Sequence, residues 1–62
     1  MLKPEKPQTA VYRAIKMLLA LDGQVRTVDV ARISGAHEVT VSTIRTALLV
    51  AEAIRPMHPR ER

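Results

Sequence analysis

The sequence predicts an all-α fold, a three-helix bundle, and three observations lead to that prediction. Apolar residues recur at helical spacing in three separate segments of the 62-residue chain. Gly23 and Gly35 stand between those segments, where helices commonly end. The chain has no cysteine and one aromatic residue, Tyr12, so aliphatic side chains must build its core. A chain of this length forms one domain and buries only ~60% of its unfolded surface.

The N-terminal part predicts a flexible basic arm followed by a helix. Residues 1–8 carry prolines, which disfavour a helix, and lysines, which give the arm its positive charge. Thr9 is suited to begin the first helix, which we expect to continue to Leu21 because its apolar residues fall on one line. That line contains Val11, Ile15 and Leu18, and Asp22 lies at its end. Gly23 suits the left-handed position after a helix. The globular domain is expected to span residues 9–55.

Two further segments predict the second and third helices. Thr27 is suited to cap a second helix over residues 28–34, and Gly35 stops it. A third helix is expected over residues 38–54, with a proline beyond its end, and residues 56–62 predict a flexible tail. The residues expected to face the core are Val30, Ala31, Ile33, Val41, Ile44, Leu48 and Ala51. The opposite face of the third helix carries Val39, Thr43, Thr46 and Val50.

Two other folds stay open at a lower rank. Residues 25–30, VRTVDV, alternate apolar and polar side chains as a strand does in ribbon-helix-helix proteins, but an amphipathic helix precedes them here. The order of elements also fits a truncated winged helix, in which Ile54 and Arg55 begin a wing strand. Too few residues follow them to complete a hairpin.

The charge of the chain points to a polyanionic partner. The net charge is +4 and the sequence pI is about 10.4, which suits nucleic acid as well as simple solubility. The longest apolar run, residues 17–21, is far shorter than the ~20 residues that span a membrane. Arg13 and Lys16 interrupt the stretch that would form the core of a secretory signal. A cytoplasmic, nucleoid-associated protein with no membrane partner is therefore expected.

Residues 30–44, VARISGAHEVTVSTI, form the motif that carries the functional prediction. Two short helices joined by a tight glycine turn, the second presenting small polar residues, are how a helix-turn-helix reads DNA. Ala31 must be small because the two helices cross close to it. Gly35 supplies a turn that a residue with a Cβ would strain.

This stretch resembles the helix-turn-helix of lactose-repressor-type bacterial regulators, a pattern shared with Cro-like proteins. The matching positions are Val30, Ala31, Ser34, Gly35, Ala36, Thr40, Val41, Ser42 and Ile44. The resemblance implies that Glu38 and Val39 read bases and that Thr40 and Ser42 contact phosphates or base edges. It also implies that Thr27 meets the DNA backbone at the start of the first motif helix. The sequence departs from the family at two positions. His37 stands where a serine or threonine cap is usual, and Thr43 stands where a basic residue is often found.

The chemistry of the individual residues extends this candidate DNA-binding set. Glu38 can accept a hydrogen bond from a cytosine amino group, or it can simply stabilise the helix dipole. Val39 can touch a thymine methyl group. The basic arm can track a groove with Lys3 and Lys6. The polar and basic residues that can reach bases or phosphates, or else remain solvated, are Arg26, Thr27, Arg32, His37, Thr40, Ser42, Thr43, Arg45 and Thr46.

The second half of the predicted third helix is apolar nearly all round, which is unusual for a helix at the surface of a monomer. This composition predicts a homodimer interface. The candidate interface residues are Met17, Leu21, Leu49, Val50 and Ile54. The alternative is that the arm or the tail covers them.

These observations predict a sequence-specific double-stranded DNA-binding transcriptional regulator, a repressor encoded by a phage or plasmid, that acts as a homodimer. An enzyme is not expected, because no acidic residue pairs with His37 or His58 at catalytic or metal-ligand spacing. No catalytic residue, metal, cofactor or small-molecule ligand is predicted. Two alternatives stay open, a three-helix protein-interaction module and an architectural or excisionase-like DNA-binding protein.

Overall fold

A computed structural model describes residues 7–57, which fold into three packed α-helices. Helix α1 spans Pro7–Ala20, α2 spans Thr27–Ser34 and α3 spans Glu38–Val50. Each helix packs against the other two, and residues 7–57 contain no strand. The predicted all-α bundle is confirmed, and the strand interpretation of residues 25–30 is wrong because most of them belong to α2. No helix in the described part of the chain is long and apolar enough to cross a membrane.

The core lies where small and aliphatic side chains of the three helices meet. Its fully enclosed members are Ala14, Leu18, Val30 and Val41, with Ala31 nearly as deep. On α1 the buried line is Ala10, Ala14 and Leu18, at the four-residue spacing of one helix face. The predicted partners Val11 and Ile15 are only half-buried. Because the two alanines are small, the backbones of α2 and α3 can approach α1 closely at these positions.

The structure corrects the predicted ends of α1 and α3. Helix α1 begins at Pro7, two residues earlier than expected, because proline is well tolerated in the first turn of a helix. Helix α3 ends at Val50 and not at residue 54, because Glu52 adopts a left-handed conformation with φ of 60°. The amide of Ala53 then donates to the carbonyl of Leu48 at 2.9 Å, which closes the helix end.

Two predicted core residues are exposed. Ile33 is 64% exposed, and the buried residue at that end of α2 is Ser34 instead. The Ser34 hydroxyl oxygen accepts from the amide of Ala36 at 3.1 Å, so its burial leaves no polar atom without a partner. Ala51 is also exposed, because the chain has already left α3 when it reaches that position.

Residues 51–57 return from the end of α3 to the turn between α1 and α2. Ile54 is only 4% exposed, and its side chain lies against Gly23. The side-chain amide of Gln24 donates to the carbonyls of Arg55, at 3.3 Å, and Pro56, at 3.2 Å. This segment therefore belongs to the fold of the domain.

Candidate nucleic-acid interface

The turn between α2 and α3 consists of residues 35–37. Gly35 has φ of 87° and ψ of 2°, and its amide donates to the carbonyl of Ala31 at 2.9 Å. The prediction that Gly35 stops α2 is confirmed. A residue with a Cβ is strained at this φ, so glycine lets the chain reverse within three residues. The short turn holds the first residues of α3 beside α2.

His37 caps α3 with its side chain. The imidazole Nδ1 accepts a hydrogen bond from the amide of Val39 at 3.2 Å. The ring therefore takes the capping role of the serine or threonine expected at this position. On α2 the cap position belongs to Arg26, whose side chain makes no capping bond. Thr27 is thus the first helical residue and not the predicted N-cap.

One face of α3 points away from the other two helices. We call Val39, Thr43, Thr46 and Val50 the outer face. All four are exposed, as predicted, with Val39 at 67% and Val50 at 79%. The Thr43 hydroxyl donates to the carbonyl of Val39, and the Thr46 hydroxyl donates to the carbonyl of Ser42, both at 3.0 Å. The outer face is uncharged, and its threonines present oxygen lone pairs to solvent.

The other predicted contact residues of α3 lie beside this face. Ser42 is exposed on one flank, and Thr40 is half-buried on the other. Glu38 lies at the start of α3 in a shallow groove that it shares with Val28 and Arg32 of α2 and with Val39. A carboxylate there repels phosphate groups, so Glu38 suits a contact with a base amino group better than one with the DNA backbone.

Two predicted phosphate contacts, Arg26 and Arg32, share one carboxylate. Arg26 Nε lies 3.2 Å from Asp29 Oδ2, and Arg32 Nη2 lies 3.0 Å from Asp29 Oδ1. Both arginine side chains stay largely exposed, so the site keeps one net positive charge at the surface of α2. This role of Asp29 was not predicted from the sequence. The spacing of three residues on either side of it, which brings helical side chains together, is the signal that could have found it.

Arg45 is a predicted DNA contact whose guanidinium the structure turns inward. Its guanidinium donates to the carbonyl of Gly23 at 2.8 Å, to the carbonyl of Val25, and through Nε to the hydroxyl of Thr27 at 3.2 Å. The Arg45 side chain is therefore bonded both to the Thr27 side chain and to the backbone of the turn between α1 and α2. We therefore assign both side chains to the fold and remove them from the candidate interface.

The predicted dimer residues do not form one exposed apolar patch. Ile54 is buried within its own chain, so it cannot serve an interface. Met17 and Leu49 are half-buried, and Met17 packs against the core. Leu21 and Val50 are exposed, but Val50 belongs to the outer face of α3. A dimer remains a prediction, and it has fewer candidate contacts than the sequence indicated.

Some sequence predictions lie outside the described residues. They are Lys3 and Lys6 of the arm and the tail from residue 58 onward, including His58. Among residues 7–57 there is no group of three or more histidine, aspartate or glutamate side chains that could hold a metal ion.

Comparisons with protein-family models, curated proteins and solved structures found no match for this chain. A function must therefore be inferred from the residues of the chain itself.

Proposed function

We propose that this chain is a sequence-specific double-stranded DNA-binding transcriptional regulator that inserts α3 into the major groove. The outer face of α3 carries the proposal. It presents small side chains without charge along the length of the helix, and a helix with such a face fits the major groove. The tight turn at Gly35 projects the start of this helix beside α2, as in a helix-turn-helix.

The surroundings of the outer face support the same function. Arg26 stands at the cap position of α2 and Arg32 lies on it, and Arg32 lines a groove together with Val39. Guanidinium groups so close to a groove-binding helix can contact the phosphates that border the groove. The chain has a net charge of +4, and half of that charge comes from residues 1–6 and 58–62. Such terminal charges favour association with a polyanion.

The proposed mechanism is steric repression by a homodimer. Two copies related by a two-fold axis would place two α3 helices on a pseudo-palindromic site, about one helical turn or ~34 Å apart. Occupation of such a site at a promoter would block polymerase sterically.

Fluorescence anisotropy of the whole protein on labelled duplex DNA tests the proposal. The duplexes are the region upstream of its own gene and a scrambled duplex of equal length, measured at two salt concentrations with random competitor. We expect the specific complex to survive competitor, and log K to fall with log salt by about 0.9 per phosphate neutralised. An absence of binding to either duplex at low salt would overturn the proposal.

A pair of matched variants localises the contact. Ile33 and Val39 are both aliphatic and exposed to nearly the same degree, 64% and 67%, but they lie on different helices. Val39→Glu places a carboxylate on the outer face and should abolish DNA binding, whereas Ile33→Glu should leave it within about threefold, as expected for a surface change away from the duplex. Equal effects of the two variants would exclude the outer face as the DNA contact.

The shared carboxylate of Asp29 offers a second test. Asp29→Asn removes the charge that offsets Arg26 and Arg32, so we expect non-specific DNA affinity to rise about two- to fivefold with a steeper salt dependence. The matched control is Asp22→Asn, which breaks an ion pair with Arg55 at 3.4 Å on another part of the molecule. A gain of the same size in the control would show that only net charge matters.

A second candidate function is a protein-interaction module. Three exposed aliphatic residues favour it, Val28, Ile33 and Val39, of which the first and third line one groove. Association through these side chains would change little with salt, in contrast to DNA binding. It would also be weakened by Ile33→Glu, which the DNA-binding proposal predicts to be nearly silent.

A further inference from the structure

We infer that the outer face of α3 selects A·T base pairs, because it can accept hydrogen bonds and make apolar contacts but has no donor of its own. This inference rests on the proposed DNA-binding function and names the base pair that the same face reads. It depends on where the donors of α3 are directed.

The hydroxyl protons of the outer face are already used within the helix. Thr43 donates to the carbonyl of Val39 and Thr46 donates to the carbonyl of Ser42, each at 3.0 Å. What each threonine offers outward is therefore an oxygen that accepts. Val39 and Val50 offer only methyl groups. The face thus combines two acceptors with two apolar ends.

The one strong donor on α3 is directed away from this face. The Arg45 guanidinium bonds to the carbonyls of Gly23 and Val25 and to the Thr27 hydroxyl, on the far side of the helix. Guanine displays only acceptors, N7 and O6, in the major groove, and arginine or lysine usually reads them. The outer face therefore has nothing to offer a guanine edge.

An A·T pair supplies both chemical features that the outer face can use. Adenine displays the N6 amino donor, and thymine displays its C5 methyl group in the same groove. Val39 precedes Thr43 by four residues, so a methyl group and an accepting oxygen lie side by side on the helix. Cytosine also has an amino donor, but a G·C pair has no methyl group, and guanine places the O6 acceptor where adenine places its N6 donor.

Contacts with phosphate must come from the flanks of α3 and from α2. A phosphate oxygen only accepts, so its partner has to donate. Ser42 is exposed on the flank, and within residues 7–57 its hydroxyl has no hydrogen-bond partner, which leaves it able to donate. The outer face thus reads bases, and Ser42 contacts the phosphate backbone together with Arg26 and Arg32.

Selection from a pool of random duplexes, followed by base analogues, tests the inference. In the selected site each A·T pair is replaced in turn by inosine·C, which has a G·C major groove and an A·T-like minor groove. It is also replaced by diaminopurine·T, which has an A·T major groove and an added minor-groove amino group. We expect inosine·C at contacted pairs to weaken binding about tenfold and diaminopurine·T to change it by less than about twofold. Replacing thymine by uracil, which lacks the methyl group, should also weaken binding.

Two variants connect this preference to the residues. Thr43→Val keeps the shape and removes the accepting oxygen, so it should reduce the tenfold penalty for inosine·C to about twofold. Ser42→Ala should weaken binding to every duplex by the same factor and leave that penalty unchanged. Circular dichroism establishes that both variants retain their helices.

The outcomes separate this inference from the function on which it rests. Selected sites that depend on guanine, or that tolerate inosine·C and reject diaminopurine·T, would overturn the A·T inference and leave DNA binding intact. Enrichment of no sequence, with weak and salt-sensitive binding to all duplexes, would overturn sequence-specific reading. A protein that binds no duplex in the pool would overturn the proposed function and this inference together.

Discussion

The two turns of this molecule are built in opposite ways. The turn over residues 21–26 is held from outside, because Arg45 of α3 bonds to the carbonyls of Gly23 and Val25, and Gln24 bonds to the returning C-terminal segment. The turn over residues 35–37 is held by its neighbours in sequence. Its hydrogen bonds within the described residues all join positions between 31 and 41.

This difference separates stability from recognition. The first turn connects distant parts of the chain. A substitution there should therefore lower the free energy of unfolding of the whole domain, which is small. The second turn adjoins the outer face, which needs open space if it binds a duplex as proposed. A turn fixed by local bonds and left uncovered can position α3 without obstructing it. Substitutions in the first turn should therefore cost the most stability, and those in the second turn should mainly affect the presentation of α3.

The largest effect is expected for Gly23→Ala. The new Cβ would lie 2.6 Å from the carbonyl oxygen of Arg55 and 3.1 Å from Ile54 Cδ1, and φ of 76° is itself strained for alanine. Backbone strain and displacement of the buried Ile54 together should cost about 3 kcal/mol of unfolding free energy or more. Urea denaturation followed by circular dichroism measures it. A loss below about 1 kcal/mol would mean that the returning segment does not pack on this turn.

Arg45→Met should have the next largest effect. Methionine keeps much of the apolar stem but leaves the carbonyls of Gly23 and Val25 without their donors. We expect a loss of about 2 kcal/mol in the free energy of unfolding, since each partly buried acceptor loses a charge-assisted bond. Arg32→Met is the matched control on the surface, and its effect should stay within about 0.5 kcal/mol. If the two variants unfold alike, Arg45 does not hold the turn.

Local patterns made the three helices and the second turn predictable from the sequence. Helical spacing of apolar residues and the left-handed preference of glycine act over a few residues, so Gly35 could be read directly. The end of α3 could not, because Glu52 takes the left-handed conformation without being glycine or asparagine. The end of α3 depends on the packing of Ile54 against Gly23, a residue distant in sequence.

The candidate site was predictable to the same extent. The outer face followed from the helical period alone, and all four of its residues are exposed. The role of Arg45 did not follow, because it bonds to backbone carbonyls 20 and 22 residues away in sequence and to a hydroxyl 18 residues away. Side-chain type indicates that an arginine can bind phosphate, but only the packing of the helices decides whether it faces solvent.

Gly35→Ala sharpens the comparison of the turns because its environment is open. A Cβ at this position would meet only the Cβ of Ala10, at an unstrained 4.0 Å, so backbone strain at φ of 87° is the single cost. We expect a loss of about 1 to 2 kcal/mol of unfolding free energy, less than for Gly23→Ala. The same denaturation measurement on both variants gives the difference, which reports the contact of Gly23 with residues 54 and 55. A larger loss for Gly35→Ala would reverse the assignment of the two turns.

The smallest effect is expected at His37, where only one hydrogen bond is at stake. His37→Ala removes the acceptor for the amide of Val39 and should lower the unfolding free energy by about 1 kcal/mol, the usual cost of losing a helix cap. His37→Ser supplies a hydroxyl acceptor at the same position and should recover most of that loss. The amide of Val39 reports the change directly, since its hydrogen exchange should speed up in the alanine variant and slow again in the serine variant.

Because this amide belongs to the first turn of α3, DNA affinity should follow the same order, with wild type and the serine variant above the alanine variant. If the alanine variant exchanges and binds like wild type, the imidazole does not cap α3, and the start of the proposed recognition helix is fixed by the Gly35 turn alone.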